Sequence, residues 1–233
     1  MKKLCRFFPL LLSFHFLLFV PSCTQETYEK GEGKYSLMRG DFVEARVNAN
    51  RQIVSLTTDD GDLLELTAPY SAKWIETADT VYRCMLYFNK VEKSQGQYAA
   101  EVISIGQVPC PAVKAKSEFE SEFRTDPVRF ESIWLSKSGK YLNLYLQLMT
   151  GVTEDTAAIQ QLAFLSDTIM LNPNGKRTHR LLLHHNQNRV PEYYSTKAYV
   201  SIPTSQFDTD SVQISINSYS GIVVKSLSLS NKQ

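Results

Sequence analysis

Residues 140–149 read KYLNLYLQLM. Leu142, Leu144, Leu146 and Leu148 take every second position, with Tyr141, Asn143, Tyr145 and Gln147 between them. Side chains of an extended chain alternate between two faces, so the stretch carries one leucine face and one tyrosine–amide face. A helix would scatter the same leucines around its axis. Working outward, VRFESIWLS, QLAFLSDTIML, HRLLLHH, KAYVSIP, SVQISINSY and GIVVKSLSLS are further short apolar runs, separated by turns such as SKSGK, NPNGK and YSG. Seven short strands at this spacing predict an immunoglobulin-like β-sandwich over residues 113–233.

The preceding half is also strand-like. DFVEARVNANRQIVSLTTDDGDLLELTA reads as strands broken at NAN and DDGD. VYRCMLYFNKV and QYAAEVISIGQV add two more around KSQG, and PYSAKWIETADT is the one stretch suited to a short helix. Five strands with that interruption predict a small OB-like barrel over 39–112. The Pro-rich, charged VPCPAVKAKSEFESEFRTDP marks the boundary between the two halves. The expected fold class is therefore all-β, a barrel followed by a sandwich. An apolar content of 43% is that of a globular protein.

Residues 1–22 are of another kind. Lys2, Lys3 and Arg6 precede FFPLLLSFHFLLFV, which carries no formal charge. The run is short for a spanning helix and reads as a signal-peptide core. It ends in VPSC, and a small residue directly before Cys23 resembles the bacterial lipobox, although Pro21 is unusual there. Cys23 is then the lipid-attachment residue. Acylation would hold the chain to a membrane, since each buried CH₂ adds ~0.8 kcal/mol. Residues 23–38 read as a polar tether. Export to the outer membrane follows as an expectation, with Glu26 a weak pointer to the cell surface. Loss of the leader's three basic residues takes the formal charge from +1 to −2. The mature chain has no basic excess for nucleic acid.

Cys84 and Cys110 remain after the leader and anchor. In an exported domain they form a candidate disulfide, worth roughly 3–4 kcal/mol in the chain-entropy model. The alternative is two buried free thiols acting as small hydrophobes.

The lipobox cysteine, GDFVEARVN, DPVRFESIWLSKSGKYLNLYLQ and LLLHHNQNRVPEYYSTKAYVSIP together resemble the NigD-like lipoproteins over nearly the whole chain. The resemblance implies an N-terminal OB-type domain and a C-terminal β-sandwich. It also implies a connection with bacteriocin production or immunity, and it brings no catalytic motif. Members often carry an acidic or glycine residue after the HN segment, where this chain has Arg189 and Val190.

No constellation carries obvious chemistry. His179, His184 and His185 sit in one strand. His179 and His185 share a face but lie about 20 Å apart at the strand rise. His184 points to the opposite face, so the three form no local metal site. His184 or His185 is expected to pack at the sandwich edge and hydrogen-bond the loop HNQNRVPEYY. No GxSxG or CxxC occurs. Glu118, Glu120 and Glu122 could serve a glycan hydrolase as paired carboxylates, but read more simply as a solvated edge. Asp59, Asp60 and Asp62 around Gly61 read as a turn rather than a calcium loop. No cofactor and no metal are expected. Tyr141, Tyr145, Tyr193, Tyr194 and Tyr199 make a tyrosine-rich outer surface, and tyrosine suits interfaces because it joins area to a polar tip. The sequence thus points to a non-enzymatic, lipid-anchored envelope protein that binds a protein or a glycan, with an envelope glycan hydrolase as the alternative.

Overall fold

The computed structural model describes residues 38–94, 97–120 and 122–229. The leader, Cys23 and the tether up to residue 37 lie outside the described residues. The all-β expectation holds: the described residues form thirteen strands, with two single 3₁₀ turns at Lys116–Glu118 and Thr204–Gln206.

Strands β1 (Arg39–Val47), β2 (Ile53–Thr58), β3 (Leu63–Tyr70), β4 (Val81–Ser94) and β5 (Gln97–Gln107) close a barrel in the order β1-β2-β3-β5-β4. All its ladders are antiparallel except the short β3–β5 seam at Glu65↔Ala99 and Leu66↔Ala100. A five-stranded barrel of this kind is OB-like. Alternate residues fill it: Val43, Ala45, Ile53, Leu56, Leu86 and Phe88 are all buried. The DDGD turn forms because Gly61 adopts φ +89°, open to glycine at no steric cost, while its N–H donates to the Thr58 carbonyl. The stretch 71–80 holds turns instead of the expected helix. A single Ile75 N–H to Ala72 carbonyl bond closes there, buried Ile75 caps the barrel core, and the Thr77 N–H donates to the Tyr82 hydroxyl. Those tertiary contacts replace a helical ladder.

The sandwich has eight strands, one more than expected: β6 (Val113–Ala115), β7 (Arg129–Leu135), β8 (Tyr141–Thr150), β9 (Gln161–Leu171), β10 (Arg177–Asn186), β11 (Tyr194–Pro203), β12 (Ser211–Ser218) and β13 (Gly221–Ser228). The extra one, β6, lies in the Pro-rich segment and adds in parallel to β9. One sheet runs β13-β12-β10-β9-β6 and the other β11-β8-β7. Leu142, Leu144 and Leu146 are fully buried between them against Phe164, Leu181, Ile202, Ile214 and Ile216. The leucine face of KYLNLYLQLM therefore makes the core, at ~1.5–3 kcal/mol per buried side chain.

The opposite face of β8 meets the barrel, and the two form one compact unit. Arg83 on β4 is buried there at 5% exposure. Its guanidinium grips both Asp59 carboxylate oxygens at 2.7 Å, donates to Asn143 Oδ1 at 3.2 Å, and donates through Nε to Ser201 Oγ at 3.3 Å. It lies 4.1 Å from the centre of the Tyr141 ring and 5.0 Å from that of Phe42. Ser201 also donates to Asn143 Oδ1 at 2.7 Å. Lys140 and the Tyr141 hydroxyl both bind Glu44 at 2.9 Å. Burial pushes the Glu44 carboxyl pKa up, but those two hydrogen bonds and the charges of Lys140 and Arg83 together hold it below its ordinary value.

Cys84 and Cys110 are both free thiols in this structure, the alternative to the candidate disulfide. Cys84 is sealed in the barrel core, its Sγ 3.8 Å from the Tyr82 carbonyl, whereas Cys110 is exposed on the connecting segment. Burial pushes the Cys84 thiol up to about 12, so it stays protonated and inert.

Truncating Arg83 to Ala leaves Asp59 and Asn143 without their partner in a nearly dry seam. It should cost about 3–5 kcal/mol, measured as the drop in urea unfolding free energy.

Candidate functional site: the groove between barrel and sandwich

The outward residues of β8 and β11 and those of β4 face one another beside the Arg83 seam. Tyr145 pairs with Tyr199 across the β8–β11 ladder, and their rings stack at 4.9 Å. Phe42 of β1 meets Tyr199 edge-on at 5.4 Å and Trp134 of β7 at 5.7 Å. This gives a continuous aromatic row from Trp134 to Tyr145, anchored at Phe42 by the Arg83 guanidinium. Tyr87 approaches from the barrel. Its ring lies over Gly40, where an added Cβ would stand 3.1 Å from Tyr87 Cε1. A groove of about 420 Å³ opens beside this row, with Met85, Tyr87, Ser104, Gln107, Lys197 and Tyr199 on its walls. Burial raises the Tyr199 phenol pKa, and the neighbouring phenols of Tyr87 and Tyr145 raise it further.

The expected tyrosine surface divides in three. Tyr141 is half-buried in the Arg83 seam, where its hydroxyl is held by Glu44. Tyr145 stacks on Tyr199, whose ring lines the groove. Tyr193 and Tyr194 are exposed at the far end of the sheet, where Tyr194 pairs with Thr150 and Tyr193 rests on Gly151. A Cβ at Gly151 would stand 2.7 Å from the Tyr193 ring. The alternation along β8 and β11 explains the division: Tyr145 and Tyr199 share the outer face, while Tyr194 falls on the parity of the leucines.

The histidines go to three different places. His179 Nε2 lies 2.8 Å from Ser166 Oγ, and its ring meets Phe207. His184 and His185 are both 1% exposed. They bond to the segment before β7, not to the loop 186–194. That segment runs beside β10 as a parallel bridge at Thr125↔His185. The Arg124 N–H donates to His184 Nδ1 at 3.0 Å, and His185 Nδ1–H donates to the Asp126 carbonyl at 2.9 Å. Phe119 and Phe123 cover the His184 ring at 4.6 and 5.9 Å. The phenylalanines of SEFESEF thus seal a histidine. Of its carboxylates, Glu118 accepts the Ala115 N–H and Glu122 pairs with Arg124.

Asp41, Asp59, Asp60 and Asp62 do share a polar cleft of about 350 Å³ with Arg39. Asp59 is bound to Arg83 and Asp60 pairs with Lys137 at 3.3 Å. Burial holds the Asp41 carboxyl pKa above its ordinary value. Among the described residues no group of three or more His, Cys, Asp and Glu is placed to hold a metal ion. The groove can therefore offer aromatic surface and hydrogen-bond donors.

The sequence of residues 111–231 matches the model of the NigD-like C-terminal beta sandwich domain. This chain belongs to the NigD-like family. No curated protein matches it. Solved structures of three similar proteins share the fold of the NigD-like chain. A NigD-like immunity protein from Bacteroides caccae is 21% identical, with TM-score 0.63 over 80% of this chain and 91% of that one. A protein from Parabacteroides distasonis described as toxin-related is 18% identical, with TM-score 0.56 over 82% and 92%. A protein from Bacteroides fragilis described as a lipoprotein is 11% identical, with TM-score 0.56 over 82% and 96%.

Sequence reasoning placed Tyr145 and Tyr199 on one tyrosine-rich surface, and missed Tyr87, Arg83, Phe42 and Trp134 as their neighbours. The available signal was Arg83 itself in VYRCMLYF, a charge among aromatic and apolar residues on a strand whose other face is core. In the HN loop, Asn188 and Arg189 both adopt left-handed backbone, with φ 45° and 63°. Val190 N–H donates to the Gln187 carbonyl, closing a turn whose second central residue favours glycine.

Replacing Arg189 with Gly should stabilise the protein by about 1 kcal/mol, read as a higher denaturation midpoint. A second expectation concerns acid. Burial lowers the pKa of His179, His184 and His185 below the ordinary 6.5, although the Asp126 carboxylate opposes the shift at the last two. Their neutral forms are favoured by folding, so this stability is complete above pH 6.5 and declines as pH falls through the lowered values. Urea midpoints should drop between pH 7 and pH 5. His184→Asn, which keeps an acceptor for Arg124, should flatten that slope.

Proposed function

We propose that this protein is a non-enzymatic, lipid-anchored component of the cell envelope that recognises a glycan or a protein through the barrel–sandwich groove. The observation that carries the reading is the groove itself: half-buried tyrosines and unpaired polar groups gathered between two domains held in register by Arg83. Ligand sites favour such concave seams between domains. Cys23 supplies the anchor, and acyl chains on it hold the barrel near the membrane surface. The Bacteroides fragilis relative described as a lipoprotein supports that placement. The Bacteroides caccae relative, an immunity protein, supports a part in tolerance of a bacteriocin. Of the carboxylates of SEFESEF, which motivated a hydrolase, Glu118 is engaged by the Ala115 N–H and Glu122 by Arg124.

The test is complementation of a deletion strain with the native gene, with Cys23→Ala and with Tyr87→Ala. The native protein should fractionate with the membrane and restore resistance to the co-produced bacteriocin. Cys23→Ala should be released to the soluble fraction, and Tyr87→Ala should stay anchored and fail to restore resistance. Unchanged sensitivity of the deletion strain to every such toxin ends the immunity reading. Membrane retention of Cys23→Ala ends the anchor.

A further inference from the structure

The groove's chemistry narrows its ligand. Its lining holds a single charge, the Lys197 ammonium, and no carboxylate. Lys197 is exposed and makes no ion pair or hydrogen bond among the described residues. The hydroxyls of Tyr87, Tyr145 and Tyr199 are likewise without a hydrogen-bond partner there, and so are the side chains of Ser104 and Gln107. Two neighbours are satisfied: Gln147, directly opposite Lys197 on the ladder, donates to Glu131 at 2.7 Å, and Tyr141 is bound to Glu44. Unused groups therefore line the groove. They combine one cation, several donors and aromatic faces.

Each element selects a ligand feature. Aromatic faces take the C–H faces of a pyranose ring, and phenol and amide groups match its hydroxyls. The lone ammonium selects a carboxylate, because an unpaired cation in a cleft of the same sign attracts an anion. The volume, about 420 Å³, is that of a small-molecule or short-oligomer site. A stable protein partner would need roughly 800 Å² of its own surface buried, more than a groove of this size receives.

We propose that the groove binds an oligosaccharide carrying a carboxylate, with uronic-acid rings set against Tyr87 and Tyr199 and the carboxylate on Lys197. The proposal rests on the recognition reading above and names its ligand class.

The experiment is calorimetric titration of the full chain, purified in detergent, with trigalacturonate, with neutral maltotriose and with a glutamate-rich peptide. Trigalacturonate should bind, more weakly as salt rises. Lys197→Gln, an exposed change that leaves the fold intact, should weaken it about tenfold. Tyr87→Ala should weaken it at least as much, while thermal unfolding of both variants stays close to the native curve. Equal binding of maltotriose, or indifference to Lys197→Gln, overturns the carboxylate assignment. Binding of the peptide alone overturns the saccharide. If no probe binds while Lys197→Gln and Tyr87→Ala still abolish complementation in the deletion strain, the ligand class is wrong and recognition through the groove stands. If no probe binds and both variants complement fully, the groove reading itself falls.

Discussion

Arg83 is the constraint on which the two-domain arrangement depends. A guanidinium that is 5% exposed must find partners for its donors, because an unpaired buried charge is far costlier than any packing defect. Here the partners come from both halves of the chain: Asp59 from the barrel, Asn143 and Ser201 from the sandwich. Rings from both halves, Phe42 and Tyr141, cover its faces. Only one mutual orientation of barrel and sandwich satisfies all of them. The gain over a well-packed apolar seam is small in free energy. What the network supplies is geometry, since bidentate binding of Asp59 leaves little angular freedom.

That orientation creates the groove. Phe42 packs on Arg83 at one end and on Trp134 and Tyr199 at the other, so the aromatic row is an extension of the seam. A site built this way has rigid walls on strands of both domains. Recognition can then proceed with little ordering cost at the walls.

The segment between the domains has a second role. It enters as β6 at one edge of the larger sheet and crosses its outer face, where Phe119 and Phe123 cover His184. It then passes His185 before starting β7. Two buried neutral imidazoles are thus the fastening points of the linker, and each binds a backbone group of residues 124–126.

The sequence by itself determined the local layer of this structure. KYLNLYLQLM, SVQISINSY and their neighbours alternate with period two, and burial of one face of each strand leaves no other pattern. The barrel, the sandwich and the leucine core were therefore legible, as was the turn at Gly61. The short β6, the loss of a helix at 71–80, the free thiols and the burial of His184 were not. Each depends on what another segment brings to the same place, and alternation carries no record of its partner. The groove belongs to this second class. Tyr87 and Tyr199 are 112 positions apart and look alike to any pattern of exposed tyrosines. Only tertiary structure placed them together, because the satisfaction of one buried arginine decided how the two domains meet.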